Sequence, residues 1–373
     1  MAAERLRVLI VGGGTGGHIL PALAVARVLV EQHHAEVRFL GTARGLETRL
    51  VPAAGFPLDL VQVGQLNHVS LHTRLRTAAG LPLSIACCIR LLRNFRPHVV
   101  FGVGGYASGP GMLAAILTRT PRMAFEPNAV PGMVHRWIGP HVQAAAVNFP
   151  SAARAFRNAT VTGIPVRAEF FSLPALPQDA PPHLLIFGGS QGARIFNTTL
   201  PQIAPALLSA IPGLTLLHQC GAGQWEATQS AYAQSGADST RWQVHEFLDD
   251  MPQRFAAASL VLCRSGASTV AELAAASKPA LLVPFPLAAD DHQRHNAEVL
   301  AAAGAATLLL QSDLTPERLL VELLALLRNP THLATMGQRA RQLAHPHAAE
   351  AIARRIADLR TPIQSKSIHK STK

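Results

Sequence analysis

A glycine-rich stretch with one histidine, VGGGTGGHIL at residues 11–20, contains residue types that could do chemistry. The apolar run Leu6–Val11 predicts a buried strand before the glycines, and the apolar spacing after them predicts a helix. At such a turn, bare backbone lets a phosphate or a sugar approach closely, and the helix dipole favours negative charge. The same dipole disfavours a charged imidazole, so we expect His18 to be neutral near pH 7 and suited to a general base. A tight turn with a structural histidine is the alternative.

A second stretch, CRSGASTVAEL at residues 263–273, places small hydroxyl residues at a predicted helix start and Glu272 in the first turns. Amides and hydroxyls there can hold a phosphate, while the carboxylate can accept hydrogen bonds from the two hydroxyls of a ribose. The stretch therefore predicts a site for a nucleoside diphosphate. An ordinary capped helix with an acidic first turn is the alternative.

Two adjacent acids, Asp290 and Asp291, lie in the polar stretch PFPLAADDHQRHNA at residues 284–297 and suggest a metal site. Metal-dependent sugar transferases generally present an Asp-x-Asp pair, and the sequence contains none. Helix dipoles and arginines can neutralise a leaving diphosphate instead. We therefore predict that the protein uses no metal and no other cofactor.

Gly12, Gly14 and Gly17 also satisfy the G-x-G-x-x-G spacing of nicotinamide-binding domains. Such a domain carries an acidic residue about 20 residues further on, at the end of its second strand. The candidate strand Val37–Gly41 offers none, which disfavours a dehydrogenase without excluding it.

The composition is that of a large basic chain, with 373 residues, 49% hydrophobic content and a formal net charge of +11. This length predicts two domains with full cores. Positive charge suits nucleic acid, an anionic membrane or a phosphorylated substrate. However, only 5% of the residues are aromatic and no recognition motif is present, so we predict no nucleic-acid partner. Cysteine spacing predicts neither a zinc site nor a disulfide framework, and we expect neither a signal peptide nor a transmembrane helix.

Strand-like apolar runs alternate with helical ones in both halves of the chain, which is typical of an α/β fold with parallel sheets. After a proline-rich stretch at 174–182 the pattern restarts with LLIFGGSQGARIFN at 184–197. The sequence therefore predicts two Rossmann-like domains that face an interdomain cleft at the carboxyl ends of their strands. We assign residues 1–165 to the first domain, 166–342 to the second, 343–360 to a helix returning to the first, and 361–373 to a disordered basic tail.

An apolar stretch in the first domain, LPLSIACCI at 81–89, is flanked by five arginines: Arg74, Arg76, Arg90, Arg93 and Arg96. A basic rim around an apolar surface is typical of peripheral binding to an anionic membrane. A core helix with solvated arginines is the alternative.

Six motifs in one order, GGTGGHILPALAVA, GGYASGP, GGSQGARIFN, EFLDDM, CRSGASTVAEL and HQRHNA, closely resemble the MurG type of UDP-N-acetylglucosamine transferase. The resemblance covers nearly the whole chain up to the tail. It implies a GT-B fold of two Rossmann-like domains, with the donor nucleotide mainly on the second domain and a lipid acceptor on the first.

The resemblance also implies the reaction, which is an inverting transfer of N-acetylglucosamine from UDP-N-acetylglucosamine. The acceptor would be the C4 hydroxyl of undecaprenyl-diphospho-N-acetylmuramoyl-pentapeptide, a lipid intermediate of peptidoglycan. The protein would then bind peripherally to the inner leaflet, at the cytoplasmic face of the bacterial cell membrane. A GT-B transferase acting on another membrane lipid, such as diacylglycerol, is the alternative, although that acceptor has no diphosphate for two glycine loops to hold.

Site residues follow from the resemblance by position. It implies that His18 is the catalytic base. Residues expected to contact the donor are Thr15, Gly16, Gly17, Asn128, Arg167, Ser190, Leu248, Ala267, Ser268, Thr269, Val270, Ala271, Glu272 and Gln293. The acceptor is expected to lie on the two glycine loops of the first domain, at Gly13, Gly14, Gly104, Gly105, Tyr106 and Ser108.

One segment departs from the family pattern, because Phe125-Glu126-Pro127-Asn128 stands where the family commonly shows His-Glu-Gln-Asn. The missing histidine removes one alternative base and concentrates the catalytic prediction on His18, with Tyr106 as a residue that could assist.

Overall fold

The computed structural model of this chain describes residues 4–63, 71–105, 107–177 and 179–360, with backbone only for 71–79. The chain forms two compact units, each around its own parallel sheet. Unit 1 holds the described residues up to Pro127, then Pro131–Pro165 and the segment from His347. Unit 2 holds Asn128–Val130 and Val166–Pro346.

Unit 1 is built on seven parallel strands in the order β3-β2-β1-β4-β5-β6-β7. The strands are β1 (Arg7–Gly12), β2 (Glu36–Gly41), β3 (Leu58–Leu60), β4 (Val99–Gly104), β5 (Arg122–Glu126), β6 (Ala144–Val147) and β7 (Ala159–Val161). The helices between them are α1 (Gly16–His33), α2 (Glu47–Ala53), α3 (Leu71–Phe95), α4 (Ser108–Leu117) and α5 (Met133–Ile138).

Unit 2 repeats this design with six parallel strands in the order β10-β9-β8-β11-β12-β13. They are β8 (His183–Phe187), β9 (Thr215–Gln219), β10 (Trp242–His245), β11 (Leu260–Cys263), β12 (Ala280–Leu282) and β13 (Ala306–Leu308). Its helices are α6 (Arg194–Ala210), α7 (Trp225–Gln234), α8 (Met251–Ala257), α9 (Ala267–Ala275), α10 (His292–Ala302), α11 (Pro316–Leu327) and α12 (Pro330–Arg341).

A final helix, α13 (Ala348–Asp358), packs against α1 and so belongs to unit 1. Ile352, Ala353 and Ile356 form its fully buried face. Short 3-10 turns complete the described secondary structure at Gly139–His141, Pro150–Ala155, Ala168–Ser172, Ala289–Asp291 and Gln311–Asp313. The predicted tail at 361–373 lies outside the described residues.

The central strands of both sheets are apolar on both faces because helices cover them on both sides, as in other parallel sheets. In β1, every residue from Val8 to Val11 is at most 1% exposed. This double burial leaves the loops at the carboxyl ends of the strands as the positions where polar residues can face a ligand. The strands predicted from the apolar runs Leu6–Val11 and Val37–Gly41 are present as β1 and β2, with ends shifted by at most one residue.

Candidate active site

The first glycine turn joins β1 to α1, and it holds His18 at the third position of that helix. The imidazole Nδ1 lies 3.3 Å from the Gly13 carbonyl oxygen and 3.4 Å from the Thr15 hydroxyl. A carbonyl oxygen can only accept, so a bond to Gly13 requires Nδ1 to carry the proton. The lone pair of the neutral ring then lies on Nε2, which is the atom that can accept a proton.

The two glycine loops of unit 1 pack directly against each other. The Gly13 amide donates to the Gly104 carbonyl at 3.0 Å. Gly105 has a φ of +81°, and a Cβ there would stand 2.0 Å from the Gly13 carbonyl oxygen. His18 Nε2 lies 3.0 Å from where a Cβ of Gly104 would be. The glycines at the ends of β1 and β4 are therefore needed for contact between the loops, which brings the imidazole against the second loop.

The backbone amides of the first turn divide into two groups. Gly13 and Gly14 donate within unit 1, Gly14 to the Glu47 carboxylate at 2.7 Å. Within the described part of the chain, the amides of Thr15, Gly16 and Gly17 have no hydrogen-bond partner. An anion at this turn would therefore meet the three amides at the start of α1.

The second loop supplies one buried hydroxyl. Ser108 is the first residue of α4 and is fully buried, and its Oγ has no hydrogen-bond partner among the residues that the structure describes. Tyr106, the other acceptor residue expected between Gly105 and α4, lies outside the described residues.

In unit 2, the predicted phosphate-binding stretch forms the turn from β11 into α9. Gly266 is the N-cap and has no side chain to cap the helix. The Ser265 hydroxyl donates to the Gln293 carbonyl at 2.8 Å. In contrast, the buried Ser268 Oγ has no partner among the described residues. Ser268 and the first amides of α9 are therefore the donors that remain for a phosphate.

Glu272 lies in the second turn of α9 and is half-buried. Burial raises the pKa of its carboxyl to about 7, while the positive charge of Arg167 opposes the shift. A carboxyl with this pKa gains a proton readily near neutral pH, and hydrogen-bond donors from a ligand would favour its charged form. Arg167 is exposed, with its guanidinium stacked 5.1 Å from the Phe170 ring centroid.

A buried asparagine in α10, Asn296, connects the predicted donor residue Asn128 with the turn that leads into α9. Its Oδ1 accepts from the Ala129 amide at 2.8 Å, and its Nδ2 donates to Asn128 Oδ1 and the Ser265 carbonyl, both at 3.2 Å. These contacts lie within unit 2, to which Asn128–Val130 belongs. Sequence reasoning missed Asn296 as a site residue, although HQRHNA was quoted as a motif.

The remaining predicted donor residues of unit 2 lie in helices α9 and α10 and in two loops. Gln293 Oε1 accepts from the Phe285 amide at 3.0 Å. Ser190 is exposed in the glycine turn before α6, and Leu248 is buried between β10 and α8. The rest of the predicted phosphate and ribose segment, Ala267, Thr269, Val270 and Ala271, is part of α9.

Arg264, which sequence reasoning also missed, braces the loop after β12. Its guanidinium donates to the carbonyls of Val283 and Pro284 and to Gln311 Oε1, at 2.7 to 3.0 Å. Burial lowers the pKa of this arginine to about 10. It lies within the stretch CRSGASTVAEL, but nothing in that spacing indicates its bonds to the loop after β12.

The acidic pair before α10 has an unusual backbone conformation. Asp290 and Asp291 both adopt left-handed backbone conformations, with φ values of 52° and 49°. Asp291 lies 3.9 Å from the Arg294 guanidinium. Within the described ranges, no group of three or more His, Cys, Asp or Glu side chains could hold a metal ion.

The segment that departs from the family pattern is buried. Phe125 is 1% exposed and packs on Phe101, so an aromatic core contact occupies the histidine position. Glu126 Oε2 lies 2.8 Å from Nδ1 of His135, and both side chains are buried. The His135 Nε2 is buried with no described partner.

The predicted membrane surface is only partly described. The side chains of Arg74 and Arg76 lie outside the described set, whereas Arg90, Arg93 and Arg96 are exposed. Leu83 in α3, Leu117 at the end of α4 and Trp137 in α5 are 70%, 65% and 78% exposed. None of the helices in the described part of the chain has both the length and the apolar character that a bilayer crossing requires.

Comparison with known proteins gives consistent matches along both units. Residues 8–147 match the glycosyltransferase family 28 N-terminal domain, and residues 183–352 match the family 28 C-terminal domain. Two relatives are named UDP-N-acetylglucosamine--N-acetylmuramyl-(pentapeptide) pyrophosphoryl-undecaprenol N-acetylglucosamine transferase. The Solibacter usitatus protein is 43% identical, covering 95% of this chain and 96% of its own, and the Nitrosococcus oceani protein is 44% identical, covering 95% and 99%.

Among solved structures, the crystal structure of Acinetobacter baumannii MurG superposes with a TM-score of 0.81 at 34% identity, covering 95% of this chain and 99% of that one. Together with the two parallel sheets, these matches confirm the predicted α/β class of two Rossmann-like domains of the GT-B type.

Proposed function

This chain belongs to glycosyltransferase family 28, and we propose that it performs the MurG-type reaction within that family. N-acetylglucosamine is transferred from UDP-N-acetylglucosamine to the C4 hydroxyl of undecaprenyl-diphospho-N-acetylmuramoyl-pentapeptide, with inversion at the anomeric carbon. The identity to relatives named for this reaction favours it over transfer to another membrane lipid such as diacylglycerol.

The arrangement at the start of α9 is the observation that carries the proposal. A helix start without a side-chain cap, the buried Ser268 hydroxyl and the Glu272 carboxyl follow one another along less than two helical turns. Such a series suits a diphosphate at the amides and a ribose at the carboxylate. Asn128, held by Asn296, and Gln293 are proposed to contact the donor sugar.

His18 is proposed to act as the general base. As the C4 oxygen of the muramoyl sugar bonds to the anomeric carbon, His18 Nε2 accepts the hydroxyl proton. The bond from the anomeric carbon to the UDP oxygen breaks at the same time, and its electron pair leaves with the diphosphate. The α9 amides and Arg167 then stabilise that charge, so the reaction needs no metal ion.

The acceptor is proposed to lie on the paired glycine loops of unit 1. The amides of Thr15, Gly16 and Gly17, which have no hydrogen-bond partner among the described residues, and the buried Ser108 hydroxyl supply donors for its diphosphate. The acceptor can approach the backbone closely at four glycines, Gly13, Gly14, Gly104 and Gly105. Tyr106 is proposed as an acceptor residue from the sequence alone.

Membrane association is proposed for unit 1, at the cytoplasmic face of the cell membrane. Leu83, Leu117 and Trp137 are large exposed apolar side chains, and the arginines of α3 supply positive charge. Apolar insertion together with attraction to anionic lipid gives reversible peripheral binding. An acceptor carried by a lipid would then be reached from the inner leaflet.

The experiment that tests the function is a transfer assay. The protein is incubated with labelled UDP-N-acetylglucosamine and the monosaccharide lipid acceptor, and label is measured in the lipid phase. Label is expected there with the muramoyl lipid and not with diacylglycerol in its place. The absence of lipid-bound label from folded protein that binds UDP would contradict the proposal.

A further inference from the structure

A buried carboxylate beside the first glycine turn has no role in the reaction proposed above. Glu47, the first residue of α2, is 1% exposed. Its Oε2 accepts from the Gly14 amide at 2.7 Å, and its Oε1 accepts from the Thr42 amide at 2.9 Å and the Thr42 hydroxyl at 3.0 Å. No cation lies within ion-pair distance of it in the described part of the chain. A buried charge is costly unless hydrogen bonds satisfy it, and here three neutral donors do so.

The surrounding backbone leaves room for this side chain and for little else. A Cβ at Gly13 or Gly41 would lie 2.5 Å from a Glu47 atom, and one at Gly45 would lie 1.9 Å from Oε2. The loops that follow β1 and β2 therefore carry glycines, without side chains, where they contact the Glu47 side chain. The carboxylate fills a slot that two separate loops form.

Gly14 is held through both of its backbone groups by the start of α2. Its amide donates to Glu47, and its carbonyl accepts from the Leu46 amide at 3.3 Å. The peptide group between Gly13 and Gly14 is thereby fixed in orientation. Its carbonyl, that of Gly13, is the group 3.3 Å from Nδ1 of His18.

We propose that Glu47 is a positioning residue for His18. The carboxylate orients the Gly13–Gly14 peptide, the Gly13 carbonyl then selects the imidazole tautomer with its proton on Nδ1, and Nε2 carries the lone pair. This inference rests on the proposed role of His18 as the base. It also explains why the Gly14 amide, which occupies a turn suited to anions, donates to the protein's own carboxylate.

Glutamine at position 47 is the sharpest variant because it keeps the shape and removes one acceptor. An amide oxygen can satisfy either Gly14 or the Thr42 pair, and the NH₂ group then faces the other donor. Glu31→Gln, at an exposed position on α1, is the matched control. We expect Glu47→Gln to lower kcat by about 10- to 100-fold, since small displacements of a catalytic group cost rates of this order.

Three measurements on the same preparations separate positioning from mere stability. The KM for UDP-N-acetylglucosamine should stay within about twofold of wild type, since the donor residues of unit 2 are untouched. Hydrogen exchange in the peptide containing Gly14 should be at least about tenfold faster. A structural role alone predicts a lower melting temperature with kcat per folded molecule unchanged, and that result overturns the proposal.

A milder variant decides the case if Glu47→Gln does not fold. Thr42→Val removes one hydroxyl donor and keeps the Thr42 amide bond to the carboxylate. We expect kcat to fall by about two- to fivefold, again with the donor KM unchanged. An unchanged kcat in folded Thr42→Val overturns the proposal. If the wild type has no transferase activity, the proposed function is wrong. If the wild type is active and the folded Glu47→Gln variant has the same kcat, only the proposal for Glu47 is wrong.

Discussion

Asn296 donates a hydrogen bond from Nδ2 to Asn128 Oδ1 at 3.2 Å, across a sequence separation of 168 residues. The same side chain accepts from the neighbouring Ala129 amide. The side-chain orientation of Asn128 is thus set by a residue that is 0% exposed.

Replacing Asn296 with aspartate should therefore change how the donor sugar is recognised. The carboxylate still accepts from Ala129, but it presents an acceptor to Asn128 Oδ1 and the Ser265 carbonyl. We expect the KM for UDP-N-acetylglucosamine to rise about tenfold, since lost buried hydrogen bonds cost about 1–3 kcal/mol. The ratio of kcat/KM for UDP-N-acetylglucosamine to kcat/KM for UDP-glucose should fall. Steady-state kinetics with both donors measure this. Gln338→Glu, an amide-to-acid change at an exposed position of α12, should leave both values unchanged.

Donor binding should depend on pH through Glu272. Its pKa is raised to about 7 in the free protein, and ribose hydroxyls that donate to the carboxylate would lower it in the complex. Binding then releases a proton, so the affinity for UDP-N-acetylglucosamine should rise with pH up to about 7, by at most about tenfold per pH unit, and level off above it. Calorimetry near pH 6.5, in buffers of different ionisation enthalpy, measures the number of protons released when UDP-N-acetylglucosamine binds.

Glu272→Gln is the control for that measurement. It should bind UDP-N-acetylglucosamine without the proton release, and Glu272→Ala should lose about 1.5–3 kcal/mol of affinity. The raised pKa also means that the folded state holds this proton more tightly than the unfolded chain. Its contribution to stability is therefore present at low pH and is lost as pH rises through about 7. A pH-independent affinity in the wild type would remove Glu272 from the ribose site.

His18→Ala should fold, keep its affinity for UDP and lose about 10²- to 10⁴-fold in turnover, the range for removal of a general base. His18→Gln restores hydrogen bonding to the Gly13 carbonyl but cannot take the proton, so it should recover little of the rate. Single-turnover rates, UDP affinity and melting temperature on the same preparations test this. Near-wild-type turnover in folded His18→Ala would exclude the histidine as the base.

Leu83→Glu should weaken binding to vesicles that contain phosphatidylglycerol by about tenfold, because a buried leucine side chain contributes about 1.5–3 kcal/mol. Co-sedimentation at low and high salt gives the measurement, and salt should weaken binding of the wild type through screening of the arginines. Val321→Glu, at a 59% exposed position of α11 in unit 2, is the matched control. Equal loss of vesicle binding in both variants would contradict a membrane-binding surface on unit 1.

The sequence predicts the interior of this fold better than its edges. Strands such as β1 and β4 are visible because they are buried on both faces and read as continuous apolar runs. The edge strands β3, β7 and β13 have three residues each and are mostly half-buried, so they have no such signal. Their pairing depends on the neighbouring strand and not on their own composition.

The same limit applies to the site. His18, Ser268 and Glu272 occupy helix starts and first turns that local spacing reveals. Glu47 contacts Gly14, 33 residues away in sequence, and Asn296 contacts Asn128, 168 residues away, and a lone acid or amide in a helix gives no local sign of such a partner. Arg264 likewise acquires its role only where β12 ends against it.

The packing of α13 on α1 sets the order in which the protein can mature during translation. Domains generally fold as units while the chain is still being made. Unit 2 is fully synthesised before α13 leaves the ribosome, whereas α1 must wait for α13 to cover the surface on which Ile352 and Ile356 are buried. The unit whose synthesis begins first is therefore completed second.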